Sequence, residues 1–148
     1  MQKLLKTQND ASKIDTLHEL AWKLQYKSDS IGINYAQQEL LLSRKLKNYE
    51  SEVNALNVLG KIAKRQQYFE NAEAYFLEAI TVAKKHNFKH GIARGYNELG
   101  LFYRDQDNNL AAIDAFLSSI ESFEAQGNLQ AAAVVTFSLG KLYKKLEA

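Results

Sequence analysis

The sequence has no proline and no cysteine, and only one methionine, one tryptophan and seven glycines in 148 residues. Without proline, nothing in the chain removes a helical hydrogen bond or clashes with a preceding turn, so long helices can run uninterrupted. The absence of cysteine excludes disulfides, thiolate nucleophiles and cysteine-ligated zinc, while leaving the redox compartment open. An excess of one charge is missing too. Nineteen basic and 17 acidic residues leave a net charge of +2, far from the concentrated basic surface through which proteins neutralise phosphates, so nucleic acid is excluded as the expected partner. Long apolar runs are also lacking. The start, Met1 to Thr7, contains no signal-like apolar stretch, and no segment approaches the roughly 20 apolar residues that span a bilayer. The expectation is a soluble chain with no membrane insertion, cytoplasmic by default, or periplasmic if it is excised from a longer sensor protein.

What is present is helical material. Hydrophobic residues make up 46% of the chain, enough for a continuous core in a domain of this size. The apolar positions follow a repeat. Leu59-Gly60, Leu99-Gly100 and Leu139-Gly140 are spaced at forty residues. At the same offset Ala72, Phe76, Leu77 and Ile80 match Ala112, Phe116, Leu117 and Ile120, and Tyr103 matches Tyr143. These identities fall at i, i+4, i+5 and i+8, one face of a helix. A degenerate first copy has Leu20-Ala21 in place of Leu-Gly and Gly32 at the position of Ala72. A glycine inside a helix costs about 1 kcal/mol relative to alanine, which calls for close packing in return. The expected contact is between each glycine and the small residue of the next helix, Gly60 with Ala72 and Gly100 with Ala112.

Turn-forming residues divide the chain: Ser28-Asp29-Ser30, Lys47-Asn48, Gln67, Asn87, Asp107-Asn108-Asn109 and Gly127-Asn128. They predict seven antiparallel helices, at 11–27, 31–46, 49–66, 69–86, 89–106, 109–126 and 129–147, an all-α chain of three hairpins and one terminal helix. As one domain over 1–148, its repeats run over 11–48, 49–88 and 89–128, with a half repeat at 129–148.

Leu99-Gly100-Leu101-Phe102-Tyr103 followed by Ala112, Phe116 and Ser119, and Leu59-Gly60 followed by Ala72, Phe76 and Ala79, resemble the tetratricopeptide signature. The resemblance extends over nearly the whole chain and implies a right-handed α-α superhelix, a solenoid of helix pairs that binds other proteins. Three features depart from the family pattern: Ala63 stands where Tyr103 fits it, no proline ends a repeat, and the period is forty residues rather than about 34. Longer repeats of this kind are similar to those of kinesin light chains, cell-polarity adaptors and bacterial signalling proteins. The run from Asp15 to Trp22, continued by Asp29-Ser30 and Tyr35-Ala36-Gln37-Gln38, resembles arrays that precede bacterial sensor kinases and transcription regulators.

No constellation for catalysis emerges, and neither an enzyme activity nor a cofactor is expected. His86 and His90 are four apart, as metal ligands on one helix would be, but Asn87 places a turn between them and no third ligand is near in sequence, so no metal is expected either. The Gly91 to Gly95 segment lacks the Gly-Lys-Ser/Thr ending of a phosphate loop. Carboxylates such as Glu70, Glu73, Glu78, Asp105 and Asp107 fall where solvent-facing positions or turns are expected.

The expected function is protein or peptide binding. In a helix-pair solenoid the first helices line the concave surface, and counting from each glycine selects the side chains that face it. The second repeat supplies Asn54, Asn57, Val58, Lys61, Lys64 and Arg65, the third Arg94, Asn97, Glu98, Leu101, Arg104 and Asp105, and the last helix Val134, Phe137, Ser138, Lys141, Lys144 and Lys145. Asn57 and Asn97 coincide at the forty-residue offset, and a carboxamide both donates to and accepts from a peptide backbone. The surrounding basic excess favours an acidic segment or a free carboxylate. Trp22 and Tyr26 on the first helix either form an aromatic ledge at one end of the groove or are covered by residues 1–10. The alternative is a sensory or regulatory segment of a larger bacterial signalling protein. Gly140 has no second helix after it, so either the array continues in a longer protein or a second copy covers that surface as a homodimer.

Overall fold

The computed structural model describes residues 9–147 and contains seven α-helices among them: α1 Asp10–Leu24, α2 Asp29–Leu46, α3 Tyr49–Arg65, α4 Phe69–Lys85, α5 Lys89–Asp105, α6 Asn109–Ala125 and α7 Leu129–Glu147. Two compact units divide between His86 and Asn87: α1 to α4 form the first, α5 to α7 the second. Within each unit, consecutive helices pack as antiparallel pairs in a tetratricopeptide-like way.

The helix ends follow local chemistry. Asn48, Asn108 and Asn128 each accept from the backbone N–H three residues on, and Ser28 does the same for Ile31 at 3.4 Å. Such caps satisfy donors that the first helical turn leaves orphaned. Past the helix ends, Lys47, Gln67, Asn87, Asp107 and Gly127 all have positive φ, from 54° to 73°, a left-handed step recurring every twenty residues. The backbone N–H of Asn48, Tyr68, Asn108 and Asn128 then reaches back to the carbonyls of Ser43, Ala63, Tyr103 and Phe123 at 2.8–3.0 Å, the six-residue closure of a Schellman ending. Only one of these five steps uses glycine. The other four accept the steric cost of a left-handed residue, which capping bonds offset.

Helix α1 stops at Leu24, three residues before the predicted end. The amides of Lys27 and Ser28 both turn back to the Leu24 carbonyl, and Ser28 already caps α2. The cause lies in Gly32. A Cβ there would meet the Gln25 Cα at 2.7 Å and Ile62 at 3.0 Å, so the α1–α2 turn presses its backbone onto α2.

In the first unit, Leu17, Leu20 and Ala21 of α1, Tyr35 and Ala36 of α2, and Val58, Leu59 and Ile62 of α3 form one buried cluster. In the second, Ala93 of α5, Ala112, Phe116 and Phe123 of α6, and Ala132, Val135, Leu139 and Leu142 of α7 form another.

The glycines work differently from the expected glycine-to-alanine contact. A Cβ on Gly60 would lie 2.7 Å from the Phe76 ring, and one on Gly100 2.7 Å from the Phe116 ring. Each glycine is therefore the seat of a phenylalanine one turn beyond the alanine. Both rings are fully buried, and each stabilises its hairpin by about 1.5–3 kcal/mol relative to exposure. Ala72 and Ala112 are buried as well. The first hairpin has no such pair: Ala21 replaces the glycine and Ala36 the phenylalanine.

Candidate functional site

Of the side chains expected to meet a partner, those of the first unit lie on α1, its C-terminal turn and α3. Trp22 is 41% and Tyr26 68% exposed, with ring centroids 6.4 Å apart in an edge-to-face arrangement. Two cations from α3 cover them. The Lys61 Nζ sits 4.7 Å from the centre of the Trp22 ring, and the Arg65 guanidinium 5.2 Å from that of Tyr26. Arg65 also donates to the Gln25 carbonyl at 2.9 Å and to Asp29 Oδ1 at 3.0 Å. Its fork is thus committed to holding the α1–α2 turn, and Gln25 is almost wholly buried under it. The result is a ledge of two aromatic rings capped by two basic groups. Residues 1–8, which offered the alternative cover for Trp22, lie outside the described residues.

Asn57 is one turn before Lys61 on α3. It is only 2% exposed, and neither its Oδ1 nor its Nδ2 has a hydrogen-bond partner. A buried polar group left in that state costs roughly 1–3 kcal/mol. Asn54 and Lys64 are half-buried on the same helix.

A buried acid that the sequence reading passed over lies behind this face. Glu39 of α2 is fully buried, with His18 Nδ1 3.1 Å from Oε1 and 3.4 Å from Oε2. Burial pushes its carboxyl above the ordinary value of 4.5, and the contact with His18 pulls in the opposite direction. The signal was available: Glu39 aligns at the forty-residue offset with Ala79 and Ser119, both buried core positions.

In the second unit, Arg94 and Asn97 are half-buried on α5. Arg104 and Lys141 are brought together in a cleft of about 310 Å³ with Asp105, Asp107, Leu142 and Lys145. Its charges are largely answered internally. Arg104 pairs with Asp105 at 2.9 Å and Lys145 with Asp107 at 2.8 Å, and the latter contact holds the Asp107 carboxyl below its ordinary range. The Lys141 Nζ lies 5.0 Å from the centre of the Phe137 ring, the same cation-over-ring arrangement as Lys61 on Trp22.

Among the described residues, no group of three or more acids or histidines could hold a metal ion. His86 stacks flat on Tyr49, and His90 meets the edge of Phe123. No helix among them is long and apolar enough to cross a membrane.

Residues 53–86, which run from the second turn of α3 to just past the end of α4 and contain the Gly60–Phe76 pair, match the family model of the tetratricopeptide repeat. The chain carries a tetratricopeptide repeat. Such repeats are generally protein-interaction modules, typically without catalysis. Twenty-two chains of solved structures also match. RapI in its apo form superposes with a TM-score of 0.83 at 19% identity, over 99% of this chain and 41% of that one. BtubC (BKLC) from P. vanneervenii superposes with a TM-score of 0.60 at 17% identity, over 96% of this chain and 67% of that one. At such identities the likeness is one of fold, and the chain spans less than half the length of RapI. None of the curated proteins matches the sequence.

Proposed function

We propose that the first unit binds a segment of a partner protein along α1 and α3, with Asn57 at the centre and the Trp22–Tyr26 ledge at one end. The observation that carries this reading is Asn57. Both polar atoms of its carboxamide are unsatisfied, and a peptide backbone supplies the acceptor and donor they lack. Access requires the neighbouring side chains to move. Lys61, one turn away, makes a cation–π contact with Trp22 worth about 0.5–2 kcal/mol.

The ledge adds support of a different kind. Tryptophan, tyrosine and arginine are the residue types that anchor interfaces, and here all three stand together. The segment's chemistry is acidic in this reading: Lys61 presents positive charge above the Trp22 ring, and a carboxylate can bond to the ammonium without displacing it from the aromatic face. The second unit offers a similar pairing of Lys141 with Phe137.

An array of immobilised peptides of graded charge, probed with the purified chain, tests the reading. Acidic peptides should retain the wild type, and Asn57→Ala combined with Lys61→Glu should lose them while the thermal melt does not fall. Identical binding by wild type and double variant would reject this face as the site. Retention that is indifferent to salt and to peptide charge would reject the acidic preference alone.

A further inference from the structure

Ala63 stands where the following repeats have Tyr103 and Tyr143. A cavity of about 150 Å³ lies against it, between α2, α3 and α4. Buried Leu59, Ile62 and Ala63 form an apolar floor with Ile33 of α2. The second unit has a cleft at the same register, since Leu59, Ala63, Asn71 and Tyr75 correspond to Leu99, Tyr103, Ala111 and Ala115. There the Tyr103 ring is itself a wall, packed on the core of its unit. In the first unit Tyr75 brings a half-buried ring from the facing helix instead, and the cavity persists beside it.

We infer that this cavity binds a hydroxyphenyl group, with the ring on the aliphatic floor beside Tyr75 and the hydroxyl on the polar side chains of the lining. Size favours a single ring: an engineered apolar cavity of about 150 Å³ holds one benzene molecule. Polarity then favours a phenol over a plain hydrocarbon. Gln37 and Asn71 are exposed and Gln66 is half-buried, and all three line the cavity. A carboxamide offers both a donor and an acceptor, which together answer the two functions of a hydroxyl. Among the described residues, none that line the cavity carries a charge, so a charged ligand would lose its hydration there without finding a counter-ion. The group can arrive as a free phenol or as the tyrosine side chain of another chain, which present the same ring and hydroxyl. This cavity shares no residue with the face proposed above for peptide binding, and the two stand or fail separately.

The test titrates p-cresol into the whole chain and follows the methyl resonances of Ile33, Ile62 and Ala63. All three should shift together and saturate at one site, with a dissociation constant of about 1 mM or tighter. Ala63→Tyr, which returns the ring of the later repeats to this position, should weaken binding more than about tenfold with the thermal melt unchanged or raised. Ala63→Leu, a smaller filling, is the second variant and should do the same. Toluene should bind about fivefold more weakly than p-cresol, the equivalent of one net hydrogen bond. Absent shifts, or p-cresol binding that persists in both Ala63 variants, overturn the site, and equal affinity for toluene overturns the phenol. Acetyl-Gly-Tyr-Gly-amide separates the sources: affinity at or above that of p-cresol supports a tyrosine of a partner segment, and binding of p-cresol alone supports a free phenol.

Discussion

Gly60 and Gly140 occupy the same place in the repeat, eighty residues apart, and their surroundings are opposite. On α3 the glycine gap is filled by a fully buried phenylalanine ring, and on α7 it opens into empty space. The sequence around each is similar enough that periodicity cannot tell them apart. The difference teaches that a glycine in this register has no fixed energetic sign. It is favourable where a ring needs the space and unfavourable where nothing does.

The largest expected effect breaks the filled side. Phe76→Ala or Phe116→Ala should destabilise by about 3–5 kcal/mol, because the ring's burial is lost and a cavity remains against the glycine. Urea melts of the variants measure this, and a loss under about 1 kcal/mol would mean that the hairpins collapse into the gap. Smaller is the substitution at the glycine itself. Gly60→Ala or Gly100→Ala should cost about 1–3 kcal/mol by overpacking, since the new methyl falls inside the contact distance of an immobile ring. The same change at Gly140 should have the opposite sign. Gly140→Ala should stabilise by about 0.5–1 kcal/mol, the ordinary propensity gain in a helix. Equal shifts for Gly60→Ala and Gly140→Ala, in either direction, would remove the contrast.

The smallest effect belongs to the first hairpin, which lacks the glycine–phenylalanine pair and buries Glu39 where the other two have Ala79 and Ser119. Ser119 is satisfied by the Ala93 carbonyl at 2.7 Å, whereas Glu39 is held above its ordinary value by burial. A carboxyl whose pKa is raised in the folded state binds its proton more tightly there than in the unfolded chain. Its contribution to stability is therefore complete below 4.5 and is lost as pH rises through the raised value. Glu39→Gln should flatten that decline, seen in urea melts across a pH series, and an unchanged profile would show that the acid is not strained by its site.

Much of this was legible beforehand because helical structure is local. The forty-residue spacing and the turn residues placed α3 to α7 within a residue of their observed ends, since Asn caps and left-handed steps act within four or five residues of chain. The early end of α1 was not legible. It depends on Gly32 of α2 meeting the backbone of Gln25, a contact between two helices. The partners of the glycines were likewise misassigned to Ala72 and Ala112, because spacing along a helix does not say which residue of a facing helix lies opposite. Of the candidate side chains, Trp22, Tyr26, Lys61 and Arg65 do come together, since Trp22 on α1 and Tyr26 in the turn after it face Lys61 and Arg65 of α3. The burial of Asn57 and the commitment of Arg65 to Gln25 and Asp29 could not be read from position.

The sequence by itself determined the helices, their order and the repeat, because hydrophobic period and capping chemistry are properties of neighbouring residues. Only the tertiary structure decided what each repeated position does. Whether a glycine seats a ring, an asparagine is closed off or a cation rests on an aromatic face depends on which helix packs against it, and identical residues acquire different roles as that neighbour changes.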